Sequence, residues 1–76
     1  MSKIYKIQVI RAKDNTPYYY SGWDFYRRSH IFNENVECAK KFKDIESVNL
    51  IRKLFENVFW ISILNIITIE EDDKND

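Results

Sequence analysis

A single cysteine, Cys38, among 76 residues leaves this chain no internal disulfide. Cys38 and His30 together also fall short of the four Cys/His ligands a structural zinc site takes. Apolar burial must therefore drive folding unaided. Ordering a chain of this length costs on the order of 100 kcal/mol of conformational entropy. What survives is about 0.05–0.15 kcal/mol of net stability per residue. The composition meets that demand, being 45% hydrophobic and 16% aromatic. Aromatic side chains bury the most area per residue. One small domain with its own core is predicted over residues 1–69.

The pattern along the chain predicts an α+β fold. In residues 3–11, Tyr5, Ile7 and Val9 alternate with Lys6, Gln8 and Ile10, the period of a half-buried strand. Residues 12–17 form a turn, in which Asp14 and Asn15 tolerate unusual backbone angles and Pro17 has no amide hydrogen to donate. A second strand follows over residues 18–23, so the two make an antiparallel hairpin. Gly22, the only glycine, marks a bulge or the start of the next turn. Residues 24–36 lack a clean period and read as a loop. A short third strand is expected between Glu37 and Phe42.

Helix signals begin at Asp44, a good N-cap, with Glu46 in the first turn. Ile45, Val48, Ile51, Leu54 and Phe55 share one helical face, and Asn57 is a candidate C-cap. Residues 58–63 fit either the end of this helix or the start of a last strand, whose secure part is residues 64–69. Residues 70–76 are acidic, free of apolar side chains, and expected to form a disordered tail. One helix across a small, mostly antiparallel sheet is the economical architecture. No second helix is available for the other sheet face.

The net charge is zero but unevenly spread. Residues 1–43 carry nine Lys/Arg and four Asp/Glu, a balance of +5; residues 44–76 carry three and eight, a balance of −5. A zero total argues against strong nonspecific attraction to phosphate. The N-terminus opens on a charged alternating run, which is not a secretory leader. The longest apolar run, residues 58–69, is broken by Ser62, Asn65 and Thr68, short of the ~20 residues of a membrane span. A cytoplasmic protein without membrane association is expected.

The aromatic–basic stretch stands out: Tyr18, Tyr19, Tyr20, Trp23, Phe25 and Tyr26, then Arg27, Arg28 and His30. Single-stranded nucleic-acid binders stack bases on aromatic rings and track phosphates with basic residues. Tyr18, Tyr20, Trp23, Arg27, Arg28 and Lys41 would be the residues of such a site. The plainer reading fills the core with these rings and leaves the arginines in water. Nothing points to catalysis. Cys38 has no orienting base at motif spacing, no Gly-rich loop offers an oxyanion hole, and the carboxylates sit in turns, on the helix surface or in the tail. No cofactor or metal is expected. The late apolar residues, from Phe59 and Trp60 to Ile69, exceed what one helix covers, which points to a protein partner or to a homodimer. Tyr19, Trp23, Tyr26, Arg27, Arg28 and Trp60 are the candidate contact residues.

The hairpin ending in Tyr18-Tyr19-Tyr20-Ser21-Gly22-Trp23, and the block Ala39-Lys40-Lys41-Phe42 leading through Lys43-Asp44 into a helix and last strand, resemble small proteins encoded in phages and prophages of AT-rich Gram-positive bacteria. The resemblance covers about half the chain. It implies a protein of the bacterial host cytoplasm that binds a protein partner, and an inhibitor of a host or defence enzyme such as a CRISPR nuclease. It carries no residue roles with it. The nucleic-acid module and a structural homo-oligomer are the alternatives.

Overall fold

A computed structural model describes residues 2–71. Four strands, β1 (Ser2–Arg11), β2 (Pro17–Asp24), β3 (Ser29–Asn33) and β4 (Ile61–Glu71), form one antiparallel sheet in the order β3-β2-β1-β4. A single helix, α1 (Ile45–Phe55), crosses one face. This is the α+β architecture expected from the sequence. No helix among the described residues is long and apolar enough to cross a membrane.

β1 alternates in the direction of its side chains, but it is not the half-buried strand expected, because Ile4 and Lys6 are buried on the face away from α1. Ile7 and Val9 are fully buried towards α1, with Tyr5 beside them. The following turn is fixed by Asp14, whose carboxylate accepts from Arg11 Nε at 2.9 Å, Arg11 Nη2 at 2.6 Å and Thr16 N at 3.2 Å. Asn15 takes a left-handed φ of 62° there. Pro17 opens β2 opposite Ile10, where a first strand position tolerates its missing amide hydrogen.

Gly22, at φ 122°, makes a bulge, the first of its two expected roles: the β2–β3 register steps from Tyr20 opposite Phe32 to Gly22 opposite Ile31. The extra residue changes the parity of the strand. Trp23 therefore faces the same side as Tyr20, with its ring 4.8 Å from that of His30.

The third strand differs from expectation. It occupies residues 29–33, inside the stretch read as a loop. His30 and Phe32 face the core, but Ile31 is apolar on the open face and hides the alternation. Residues 37–42, expected to contain a short third strand, instead hold part of a 3-10 turn (Val36–Cys38) and a single bridge. Asn33 and Asn35 draw the chain into that turn by accepting from Asn35 N at 2.8 Å and Glu37 N at 2.9 Å.

The turn crosses the sheet face away from α1, where Lys6 Nζ donates to the Val36 carbonyl at 3.1 Å. The chain then passes between β1 and β2. Lys40 N donates to Tyr20 O at 2.8 Å, and Phe42 exchanges two bonds with Tyr5 at 2.8 and 2.9 Å.

Asp44 caps α1 by accepting from Ser47 N at 2.7 Å. The helix stops at Phe55 with Glu56, rather than Asn57, at its C-cap. Val48 and Phe55 are its buried residues, while Leu54, expected on the same face, is 60% exposed. β4 begins at Ile61, which settles residues 58–63 against a longer helix. It runs the full length of β1, from Arg11 opposite Ile61 to Ser2 opposite Glu71. Glu70 and Glu71, expected in a disordered tail, are thus strand residues, with Lys3 directly opposite Glu70. Residues 72–76 of that tail lie outside the described residues.

Candidate protein-interaction site at the β2–β3 tip

Residues 25–28 connect β2 to β3 as a tight turn. Asp24, the last residue of β2, holds the turn: its Oδ1 accepts from Tyr26 N at 2.9 Å and Arg27 N at 3.3 Å. Its second oxygen lies 3.8 Å from Arg27 Nε. An aspartate bonding the amides two and three residues ahead is a standard way to close a turn. Arg28 completes it with a left-handed φ of 53°.

The side chains on this frame point outward. Phe25 is 83% exposed and Tyr26 100% exposed. The Arg27 side chain is 84% exposed, so its approach to Asp24 is screened by water and orders more than it stabilises. Behind the tip, Trp23 is partly open at 43% and rests edge-on against His30. His30 in turn packs on Phe55 at 5.1 Å, and its Nδ1 is 3.0 Å from the Tyr20 hydroxyl. The exposed aromatic tip is therefore rooted in the core through a chain of rings.

Of the predicted contact residues, Trp23, Tyr26, Arg27 and Arg28 come together at this tip. Tyr19 does not join them. It faces the opposite side of the sheet, where Gln8 Nε2 donates to its hydroxyl at 3.1 Å. Trp60 is separate too, half-buried with its ring edge-on to Tyr18 at 6.4 Å and Phe32 at 5.2 Å. Phe25 belongs to the site and was not among the contact residues. Its signal was Asp24 directly before it, which turns the chain and leaves the next side chain unpacked.

The nucleic-acid set is dispersed. Tyr20 is 3% exposed and stacked in parallel on Phe42, so it offers no face to a base. Burial also pushes its hydroxyl pKa up. Tyr18 is half-buried, with the Arg11 guanidinium 5.1 Å from its ring centre. Lys41 lies on the segment between β1 and β2 rather than at the tip. Only Trp23, Arg27 and Arg28 of that set remain together.

Cys38 is exposed on the 3-10 turn, whereas His30 is engaged with Tyr20 in the core. The two are not arranged as nucleophile and base. Among the described residues no three His, Cys, Asp or Glu side chains gather in a way that would hold a metal ion. What the tip can do is present two rings and two guanidinium groups on a fixed turn. No family model, curated protein or solved structure matches the chain, so this geometry is the sole guide to its role.

Proposed function

We propose that this chain is a non-enzymatic protein-interaction module of phage or prophage type, which engages a host or defence enzyme of the bacterial cytoplasm through the β2–β3 tip. The observation that carries this is the near-complete exposure of Phe25 and Tyr26 on a turn already closed by Asp24. Two exposed rings add nothing to the core that stabilises the fold. Aromatic residues and arginine are the side chains most often responsible for binding energy at protein interfaces. A turn held before binding also spares the complex part of the entropy cost of ordering a loop. Arg27 and Arg28 suit a partner with carboxylates around an apolar pocket, since guanidinium pairs with carboxylate in a bidentate fork.

The test is affinity capture from bacterial lysate, with and without nuclease, using the native chain and a Phe25→Ala/Tyr26→Ala variant. The expected result is a defined protein that survives nuclease and is captured by the native chain. Its affinity should fall by roughly 30-fold or more in the double variant, the loss typical of interface hot spots. Capture that disappears with nuclease would move the reading to nucleic acid. A protein retained equally by both forms would remove the tip as its site.

A further inference from the structure

We propose that β4 is a dimerisation strand: two copies of this chain pair antiparallel along their β4 edges, with Ile66 beside Ile66 of the second copy. The four-stranded sheet would thereby become one continuous sheet across both copies.

The backbone geometry identifies which groups are free. Tyr5 exchanges both its hydrogen bonds with Phe42, and Arg11 N donates to Thr16 O. The odd-numbered residues of β1 thus turn their backbone groups away from β4. The even-numbered ones turn towards it, where they face Ile63, Asn65, Ile67 and Ile69. The alternate residues of β4, Leu64, Ile66 and Thr68, must then direct N–H and C=O outward. Among the described residues nothing bonds to these groups.

Natural edges of this length are usually guarded by a charge, a proline or a bulge. From Ile63 to Ile69 this one has none of these; its register shift lies earlier, opposite Ile10 and Arg11. The opposite edge, β3, is only five residues long. Strand addition is the general way such an edge is satisfied.

A second copy fits the edge because β4 is complementary to itself in this register. On the face away from α1, Ile63 is 53% exposed. It meets Ile69 of the second copy, completing a row from Ile10 through Ile63 to Ile69 and Ile4 of that copy, given the observed pairs Ile10–Ile63 and Ile4–Ile69. On the α1 face, Leu64 meets Thr68, and the pair Ile7–Ile66 meets its own image.

Charge agrees with this arrangement. A zero net charge removes the repulsion that usually separates identical chains. Glu70 falls beside Ser62 of the second copy rather than beside its own image. Ser62 lines a groove of about 260 Å³ between α1 and β4, with Arg52, Phe55, Glu56, Ile61 and Leu64. Arg52 is its only cation and makes no ion pair among the described residues. Glu56 shares the groove one helical turn further on.

The experiment is sedimentation equilibrium of the native chain and of Thr68→Pro. Thr68 N–H points outward, so proline there removes an edge donor without touching the β1–β4 ladder. The native chain should sediment at twice the 9.3 kDa chain mass. Thr68→Pro, with its circular dichroism unchanged, should dissociate at least about tenfold more readily. Register is read by disulfide trapping in a Cys38→Ala background. Residues 65 and 67 oppose one another as a close, non-hydrogen-bonded pair, with Cα atoms about 4.5 Å apart, within disulfide reach.

Asn65→Cys mixed with Ile67→Cys should therefore cross-link, and neither alone should. That trapping decides the matter if Thr68→Pro does not fold. A monomeric native chain overturns the proposal, including the case in which a foreign strand is the true occupant of the edge. Cross-linking of Asn65→Cys with itself overturns the register. Phe25→Ala/Tyr26→Ala should leave the dimer intact, which separates this proposal from the role of the tip.

Discussion

Lys6 is the residue whose position is hardest to reconcile with ordinary burial rules. It is only 6% exposed, on the sheet face away from α1, opposite Ile67 in β4. Its ammonium donates to the Val36 carbonyl, and that oxygen already accepts from Ala39 N at 3.1 Å. Among the described residues no carboxylate pairs with Lys6. A buried ammonium costs several kcal/mol unless it is well compensated, and one shared carbonyl is a modest return. Methionine has a similar length and volume and carries no charge to desolvate. Lys6→Met is therefore expected to raise the free energy of urea unfolding by about 1 kcal/mol. The Val36 carbonyl would keep its Ala39 partner and not be orphaned. A loss of more than about 1 kcal/mol would mean that the tie between β1 and the 3-10 turn outweighs the desolvation of the charge.

At the scale of elements, two aspartates close the structure where strands and helix begin. The Asp14 carboxyl is held well below its ordinary range, chiefly by its hydrogen bonds to Arg11 and then to Thr16. Asp44 is lowered by the Ser47 amide and hydroxyl. Both groups are depressed in the folded state, so their contribution is full above the unfolded carboxyl pKa of about 3.9 and lost as pH falls through the folded values. The thermal midpoint should accordingly be nearly flat from about pH 7 to pH 5 and fall below about pH 4. An Asp14→Asn/Asp44→Asn variant keeps side-chain acceptors but no titrating charge, and should show a shallower acid limb. An unchanged limb would place the acid-sensitive groups elsewhere.

These same elements show what could be read from sequence. Asp44, Asp14 and Gly22 announced themselves because each acts on neighbours a few residues away. β3 did not, since its alternation is masked by Ile31 on the open face. Nor did the start of β4, because Phe59, 93% exposed, mimics core composition just before it. At the tip, the aromatic and basic residue types were legible. Which of them stayed in water was not, because Tyr18 and Tyr20 were drawn inward by partners distant in sequence, Trp60, Phe42 and Phe55.

On the scale of the whole molecule, the sheet is held open and then sealed by one segment. β1 and β2 pair only from Gln8 opposite Tyr19 to Ile10 opposite Pro17. Beyond that they part, and Lys40 and Phe42 fill the gap by bonding to Tyr20 on one side and Tyr5 on the other. Phe42 is 6% exposed and stacks on Tyr20 at 6.1 Å, so one side chain joins both halves of the sheet to the core under α1. Truncating a buried phenylalanine costs about 3–5 kcal/mol, whereas the whole domain has about 4–11 kcal/mol to lose. Phe42→Ala is therefore expected to leave a barely folded protein, with a much lower urea midpoint. Amide exchange should accelerate first at Tyr5 and Lys40, whose N–H groups close the gap. Phe59→Ala is the matched control: the same truncation at a ring in water should stay within about 0.5 kcal/mol of the native chain. If the two variants were equally stable, the segment would be a passenger in the crossover, and the divergence of β1 from β2 would need another cause. A large gap between them, with exchange localised as described, would identify residues 40–42 as the closure on which the sheet, the rooted tip and the long β4 edge all depend.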